Sequence, residues 1–286
     1  MLGTAILQLR LLFTFFFSFI AFSIYGSLPT VIVSLAPYQF FVNQIAEDTV
    51  DVFLIVPPGA SSHTYEPTPR QVMQASQALL WFSIGESFEA RAMQALKSYH
   101  SNLKVVDLQQ NLDLISQPHC HQGCCAGAFD LHFWLSARQA QIQASTIANA
   151  LISSFPQHKE KYLSNLKKLQ GQLQDLDREI QTILAPLKQR SLLVGHPAYG
   201  YFCRDYHLQQ YSVEIEGKDP SAKQLTNLLL FARGLGTKTI FVQPQYSNKA
   251  AWLVAKEIGA KLVTLDPYSQ NYMQTMLTIA QAFAAQ

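Results

Sequence analysis

The stretch His158 to Leu187 limits most severely what this chain can fold into, because it reads as one helix longer than any other in the sequence. Leu163, Leu166, Leu169, Leu173, Leu176, Ile180, Ile183 and Leu187 recur mostly three and four residues apart. Lys159, Lys161, Lys167, Lys168, Asp175, Asp177 and Arg178 fill the positions between them. Pro156 precedes the helix at a permitted first-turn position and Pro186 closes it. About thirty residues at ~1.5 Å each make a rod of about 45 Å, long enough to join two domains. A dimeric coiled coil is the other reading, but the stripe is short for one and Gly171 interrupts it.

The flanks support a strut. The chain has 286 residues, so the helix leaves flanks of roughly 130 and 100 residues, each able to bury its own core. Before the helix, strands are expected at Val31–Leu35, Val50–Val56, Leu79–Ile84 and Leu103–Val106, with helices at Tyr38–Ala46, Pro69–Ala78, Phe88–Tyr99 and Ala137–Ser153 among and after them. After it, strands at Ser191–Val194, Tyr211–Ile215, Thr239–Val242 and Lys261–Leu265 alternate with helices at Tyr199–Tyr206, Ser221–Gly234, Asn248–Ile258 and from Asn271. This alternation predicts an α/β protein of two βα lobes with mainly parallel sheets. The lobes are expected at 28–155 and 189–286, with the linking helix at 156–188. The halves also echo each other, Thr68-Pro69-Arg70-Gln71-Val72 against Pro220-Ser221-Ala222-Lys223-Gln224-Leu225 among others.

Residues 1–27 differ in composition. Arg10 precedes the apolar run Leu11 to Phe22, and small residues follow at Ser23, Gly26 and Ser27, the pattern of a secretory signal. An uncleaved anchor is the alternative, although the run falls short of the ~20 residues a span needs. No cysteine precedes Cys120, which removes lipid attachment at a mature N-terminal cysteine. The expected mature protein is exported, soluble and monomeric, with no stable membrane anchor. The formal charge of +2 and the lack of a basic cluster interleaved with aromatics exclude nucleic acid as a partner.

Four candidate metal ligands stand at or beyond strand ends: His63, His132, His196 and Asp266, at spacings of 69, 64 and 70 residues and two on each side of the strut. Three imidazoles and a carboxylate form a tetrahedral set suited to Zn²⁺. His100, His158 and His207 lie on helices or at their ends and read as surface or core residues. A second group, His119, Cys120, His121, Cys124 and Cys125, crowds one loop and suits either a secondary metal site or disulfides; Cys203 is the remaining thiol.

At these residues the chain resembles the metal-specific solute-binding proteins of ABC-type uptake systems, the TroA-like cluster A-I superfamily, and within it the zinc-binding branch. The resemblance rests on Gly59-Ala60-Ser61-Ser62-His63-Thr64-Tyr65-Glu66-Pro67, Asp130-Leu131-His132-Phe133-Trp134-Leu135, Gly195-His196-Pro197-Ala198-Tyr199-Gly200-Tyr201-Phe202, Glu216-Gly217-Lys218-Asp219-Pro220-Ser221 and Val242-Gln243-Pro244-Gln245-Tyr246. It implies a metal site in the cleft between lobes, ligated by His63, His132, His196 and Asp266. It also implies capture of Zn²⁺ in the periplasm, with a membrane permease and its ATPase as partners and Mn²⁺ or Fe²⁺ as alternative cargo. Manganese-binding relatives carry a carboxylate where this chain has His196, and imidazole there favours zinc. Leu131 stands where the family usually has proline and Asp219 where it often has glutamate. The histidine-rich loop of many zinc-binding relatives is reduced here to 118–125.

A secreted zinc hydrolase is the rival from another class, with Glu66 as an imaginable general base. Four protein ligands would close the shell that a catalytic zinc keeps open for water, and no Gly-x-Ser-x-Gly occurs, so no enzyme is expected. A surface adhesin is the other rival, since fold does not fix function.

Overall fold

A computed structural model describes residues 27–99, 102–116, 129–215 and 218–286. Residues 1–26 of the expected signal segment and the cysteine-bearing group His119 to Cys125 lie outside the described residues, as do His100, Glu216 and Gly217.

Two four-stranded parallel sheets carry the fold. The first contains β1 (Thr30–Val33), β2 (Asp51–Leu54), β3 (Leu80–Ser83) and β4 (Lys104–Asp107) in the order β2-β1-β3-β4. The second contains β5 (Ser191–Val194), β6 (Gln209–Ser212), β7 (Thr239–Val242) and β8 (Lys261–Thr264) in the order β6-β5-β7-β8. The order is the same in both, displaced by four strands. Helices α1 (Ala36–Ala46), α2 (Pro69–Ala75), α3 (Ser87–Tyr99) and α4 (Ala137–Ser154) belong to the first half. Helices α6 (Gly200–Asp205), α7 (Ala222–Gly234), α8 (Lys249–Ile258) and α9 (Tyr272–Ala284) belong to the second. The sequence echo has a structural basis in α2 and α7, which both open with a reciprocal capping box, Thr68 with Gln71 and Ser221 with Gln224.

The strut is α5 (Lys159–Leu184), 26 residues and therefore about 39 Å long. It is shorter than expected because Pro156–His158 forms a separate 3₁₀ turn and the chain turns at Ala185-Pro186. Its buried seam also differs from the leucine stripe. Tyr162, Leu169, Leu173, Leu176, Ile180 and Leu184 are buried, whereas Leu163 is 40% exposed and Leu166, Ile183 and Leu187 are only partly covered. The cause is the company the helix keeps. It packs against α1 and α4 on one side and α9 on the other, and the Tyr162 hydroxyl lies 2.7 Å from Thr49 Oγ1. One apolar core runs from the first sheet across α5 to the inner face of the second sheet and α9, where Phe40 stacks on Tyr272.

β6 begins and ends two to three residues before the expected Tyr211–Ile215. It is an edge strand paired only with β5, in register Leu193 to Tyr211. Beyond Ser212 the chain bends, yet Val213 and Glu214 still donate to the carbonyls of Val194 and Gly195. That bend carries Glu214 alongside the residue after Gly195, which is His196.

Candidate metal centre

All eight strands are parallel within their sheets, and the segments leaving their carboxyl ends converge on the cleft. His63 comes from the loop after β2, His132 from the long segment after β4, and His196 from the Gly195–Pro197 turn after β5. Their ring centroids form a nearly equilateral triangle with sides of 5.4, 5.2 and 5.3 Å. One ligand atom from each lies within 4.8 Å of the others, the spacing expected around a shared cation.

Each imidazole is held from behind by a carboxylate. His63 Nδ1 lies 3.1 Å from Glu86 Oε2, His132 Nδ1 2.7 Å from Asp130 Oδ1, and His196 Nδ1 2.7 Å from Glu214 Oε2. A carboxylate at Nδ1 keeps the proton there and leaves the Nε2 lone pair free to bind metal. The Nε2 atoms of His132 and His196 are buried and have no hydrogen-bond partner. A buried polar atom left unmatched costs free energy, so two such atoms beside a third imidazole fit an electrophile between them. The residues present therefore suit a divalent cation with a preference for nitrogen.

The carboxylates are themselves fixed. Ser62 Oγ donates to Glu86 Oε1 at 2.6 Å, and the backbone N–H of His132 donates to Asp130 Oδ1 at 2.9 Å. The turn that presents Glu86 is pinned by Glu89, which accepts from the N–H groups of Ile84, Gly85 and Glu86 and from the Ser34 hydroxyl. Gly85 takes a φ of 94°, and a β-carbon there would meet the Gln109 side chain, so glycine is needed to make the turn. Tyr246 lies flat on His196 with 3.9 Å between centroids, and its hydroxyl meets that of Tyr268 at 3.1 Å.

Charge is unequally shared among the imidazoles. Burial and the neighbouring His132 and His63 press His196 well below its ordinary value, so that ring is neutral. Burial also opposes a charge on His63, but the Glu86 carboxylate outweighs it and raises the group above 6.5. Glu86 itself lies below the usual carboxylate value, since His63 and Ser62 overcome its burial. Glu214 behaves oppositely: burial and the charge of Asp219 push it up to about 7. Of these two rings it is His63, beside the ionised Glu86, that favours a proton.

Asp266 follows β8 as expected, but its carboxylate lies outside the three-imidazole group. It is exposed on the rim, with Oδ1 accepting from Gln245 Nε2 at 2.7 Å and from the Tyr268 N–H at 3.0 Å. The loop carrying it is tied to the first half, because the Trp134 indole donates to the Pro267 carbonyl at 2.9 Å. Of the other histidines, His158 sits in the 3₁₀ turn against Tyr162 and His207 at the end of α6 with a φ of 57°. Cys203 is buried in α6 and has no disulfide partner among the described residues, and desolvation raises its pKa far above the ordinary range. Sequence reasoning passed over Glu86 and Glu214, which lie just past β3 and β6. That position, which His196 shares, was the available signal.

An α/β protein of two lobes, with three imidazoles from both grouped at one point between them, has the architecture of a binding protein with room for a cation. Residues 31–286 match the family described as zinc-uptake complex component A, periplasmic. The chain belongs to that family, whose members are solute-binding proteins and not enzymes. A Chlamydia muridarum protein is 36% identical over 281 residues, covering 96% of this chain and 99% of that one. The high-affinity zinc uptake system protein ZnuA of Bacillus subtilis is 31% identical over 248 residues, covering 82% and 77%. A crystal structure of ZnuA superposes with a TM-score of 0.85 at 34% identity, over 91% of this chain and 99% of its own.

Proposed function

We propose that this protein captures Zn²⁺ in the periplasm and delivers it to an ABC permease for import. The observation that carries the reading is the set of three imidazoles, each with Nδ1 on a carboxylate and each with one ligand nitrogen within 4.8 Å of the others', the buried Nε2 atoms of His132 and His196 being without a hydrogen-bond partner. His63, His132 and His196 bind the ion, and Asp266 supplies the fourth ligand after a small rearrangement of its rim position. Three nitrogen ligands suit zinc better than manganese, whose preferred partners are oxygens. The permease and its ATPase supply the work of import, and this protein contributes only binding and presentation. In this reading the lobes are 28–155 and 189–286 joined by 156–188, and the exported protein is a monomer without a stable anchor.

Metal analysis of protein purified from the exported fraction tests this directly. One equivalent of zinc is expected, and His63→Ala, His132→Ala or His196→Ala should each weaken zinc binding at least tenfold. Preferential retention of manganese or iron, when all three are offered, would replace zinc by that metal. Loss of cellular zinc uptake on deletion, restored by the parent and not by His196→Ala, tests delivery.

A further inference from the structure

The outer layer of the second sheet consists of α7 and α8. Their inward residues Leu225, Leu228, Leu229 and Ala232, with Ala250, Ala251, Val254 and Ala255, share one apolar cluster with Ile240 and Val242 of β7. Both helices therefore cover the same face, and their outward residues form one surface. Arg233 donates to the Glu257 carbonyl at 3.2 Å, which aligns the carboxyl ends of the two helices. One turn earlier on each stand Leu230 and Leu253, 63% and 44% exposed, beside Phe231 at 40% and Trp252 at 53%. Asn248, Lys249, Trp252 and Leu253 line an open groove on this surface.

The charge of this layer is as distinctive as its apolar residues. From Ala222 to Lys261 the chain carries Lys223, Arg233, Lys249 and Lys256 on α7 and α8, with Lys238 before β7 and Lys261 at the start of β8, against the single acidic Glu257. That is a surplus of five in a chain whose net charge is +2, so the remainder nets −3. All six cationic side chains are exposed, and the Lys256 ammonium lies 5.2 Å over the Trp252 ring. An amphipathic aromatic with an ammonium over its ring and three other exposed apolar side chains, on helices that also carry exposed basic residues, match the interface of an anionic bilayer. There the rings and alkyl chains enter the headgroup region while the ammonium groups remain with the phosphates.

We propose that the α7/α8 face is a docking surface for anionic lipid membrane, holding the protein reversibly at the bilayer. The metal cleft stands at the carboxyl ends of the strands, not on the helical layer, so a bilayer against α7 and α8 leaves the cleft uncovered. The proposal does not depend on which metal is carried.

The chain offers its own reporter. Of its three tryptophans, Trp81 and Trp134 are fully buried and Trp252 alone is exposed. The exported protein would be mixed with vesicles of phosphatidylcholine alone or of equal phosphatidylcholine and phosphatidylglycerol, with brominated acyl chains as quencher. The expected result is cosedimentation with the anionic vesicles, at least tenfold tighter than with neutral ones and reversed by salt, together with a blue shift and bromine quenching of Trp252. Lys249→Glu with Lys256→Glu should weaken binding at least tenfold, and Trp252→Ser should abolish the quenching. Parent and variants share the same N-terminus, so any contribution from residues 1–27 cancels in the comparison. Unchanged zinc stoichiometry shows that the variants are folded. The proposal falls if anionic vesicles do not bind at low salt or if the variants bind as the parent does. It also falls if Trp252 shifts without lipid in a concentration-dependent dimer, which would assign the face to a second copy.

Discussion

Replacing Glu86 by glutamine isolates what the carboxylate behind His63 does. The amide keeps the size of the side chain and can still offer a carbonyl to Nδ1–H, so the ring is expected to hold its place. What disappears is a buried negative charge 3.1 Å from Nδ1. A carboxylate in that position raises the basicity of the metal-facing nitrogen, and its removal typically costs 10–100-fold in affinity, about 1.4–2.7 kcal/mol. The proton supplies a second signature. Glu86 is what lifts His63 above 6.5 against its burial, so in the parent a falling pH protonates His63 and weakens zinc binding through that raised pKa. Without the charge, burial lowers the imidazole pKa and the proton ceases to compete near neutrality. The difference between parent and Glu86→Gln should therefore be full at pH 8 and narrow as pH falls towards 6. Competition titration against a chromophoric chelator at pH 6, 7 and 8 measures both effects. Affinities within twofold at pH 8, with parallel pH profiles, would refute the assignment of Glu86 as the group that sets His63's basicity.

Three further outcomes are expected. Zinc at ~100 times its dissociation constant should add about 2.7 kcal/mol to the native state and raise Tm, and scanning calorimetry showing no shift would argue against a folded-state site. Deleting His119 to Cys125 should leave one tight zinc equivalent, because the three grouped imidazoles lie outside that segment and its base is closed by the Ser116–Phe129 bridge. Small-angle scattering should show nearly the same radius of gyration with and without zinc. Helix α5 is continuous and packed on both halves, and Tyr201 and Tyr272 donate across the cleft to the carbonyls of Asp130 and Trp134 at 2.7 and 2.8 Å. A fall in radius comparable to a domain hinge closure would refute the rigid-strut argument.

Local patterns in this sequence determine much of the fold. Short apolar runs made the strands legible, and each lies within a few residues of its expected place; the central strands β1, β3, β5 and β7 are buried and largely apolar, whereas the edge strands carry polar residues such as Gln209 and Gln210 of β6. The three histidines were legible because parallel sheets send their functional residues to the segments that follow strands, and His196 stands directly at a strand end while His63 and His132 lie further along such segments. Tertiary structure alone decided which face of α5 is buried: Tyr162 and Leu184 joined the seam and Leu163 left it, since three neighbouring helices rather than one set the stripe. It also decided the pairing of His63 with Glu86 and His196 with Glu214, 23 and 18 residues apart, and the unequal protonation that follows. Those couplings depend on distance and burial in a folded cleft, quantities that no one-dimensional spacing contains. Asp266 shows the same division, for its place after β8 follows from the sequence, whereas its position on the rim, held by Gln245 and Tyr268, follows from the packing of loops that meet only in the folded protein.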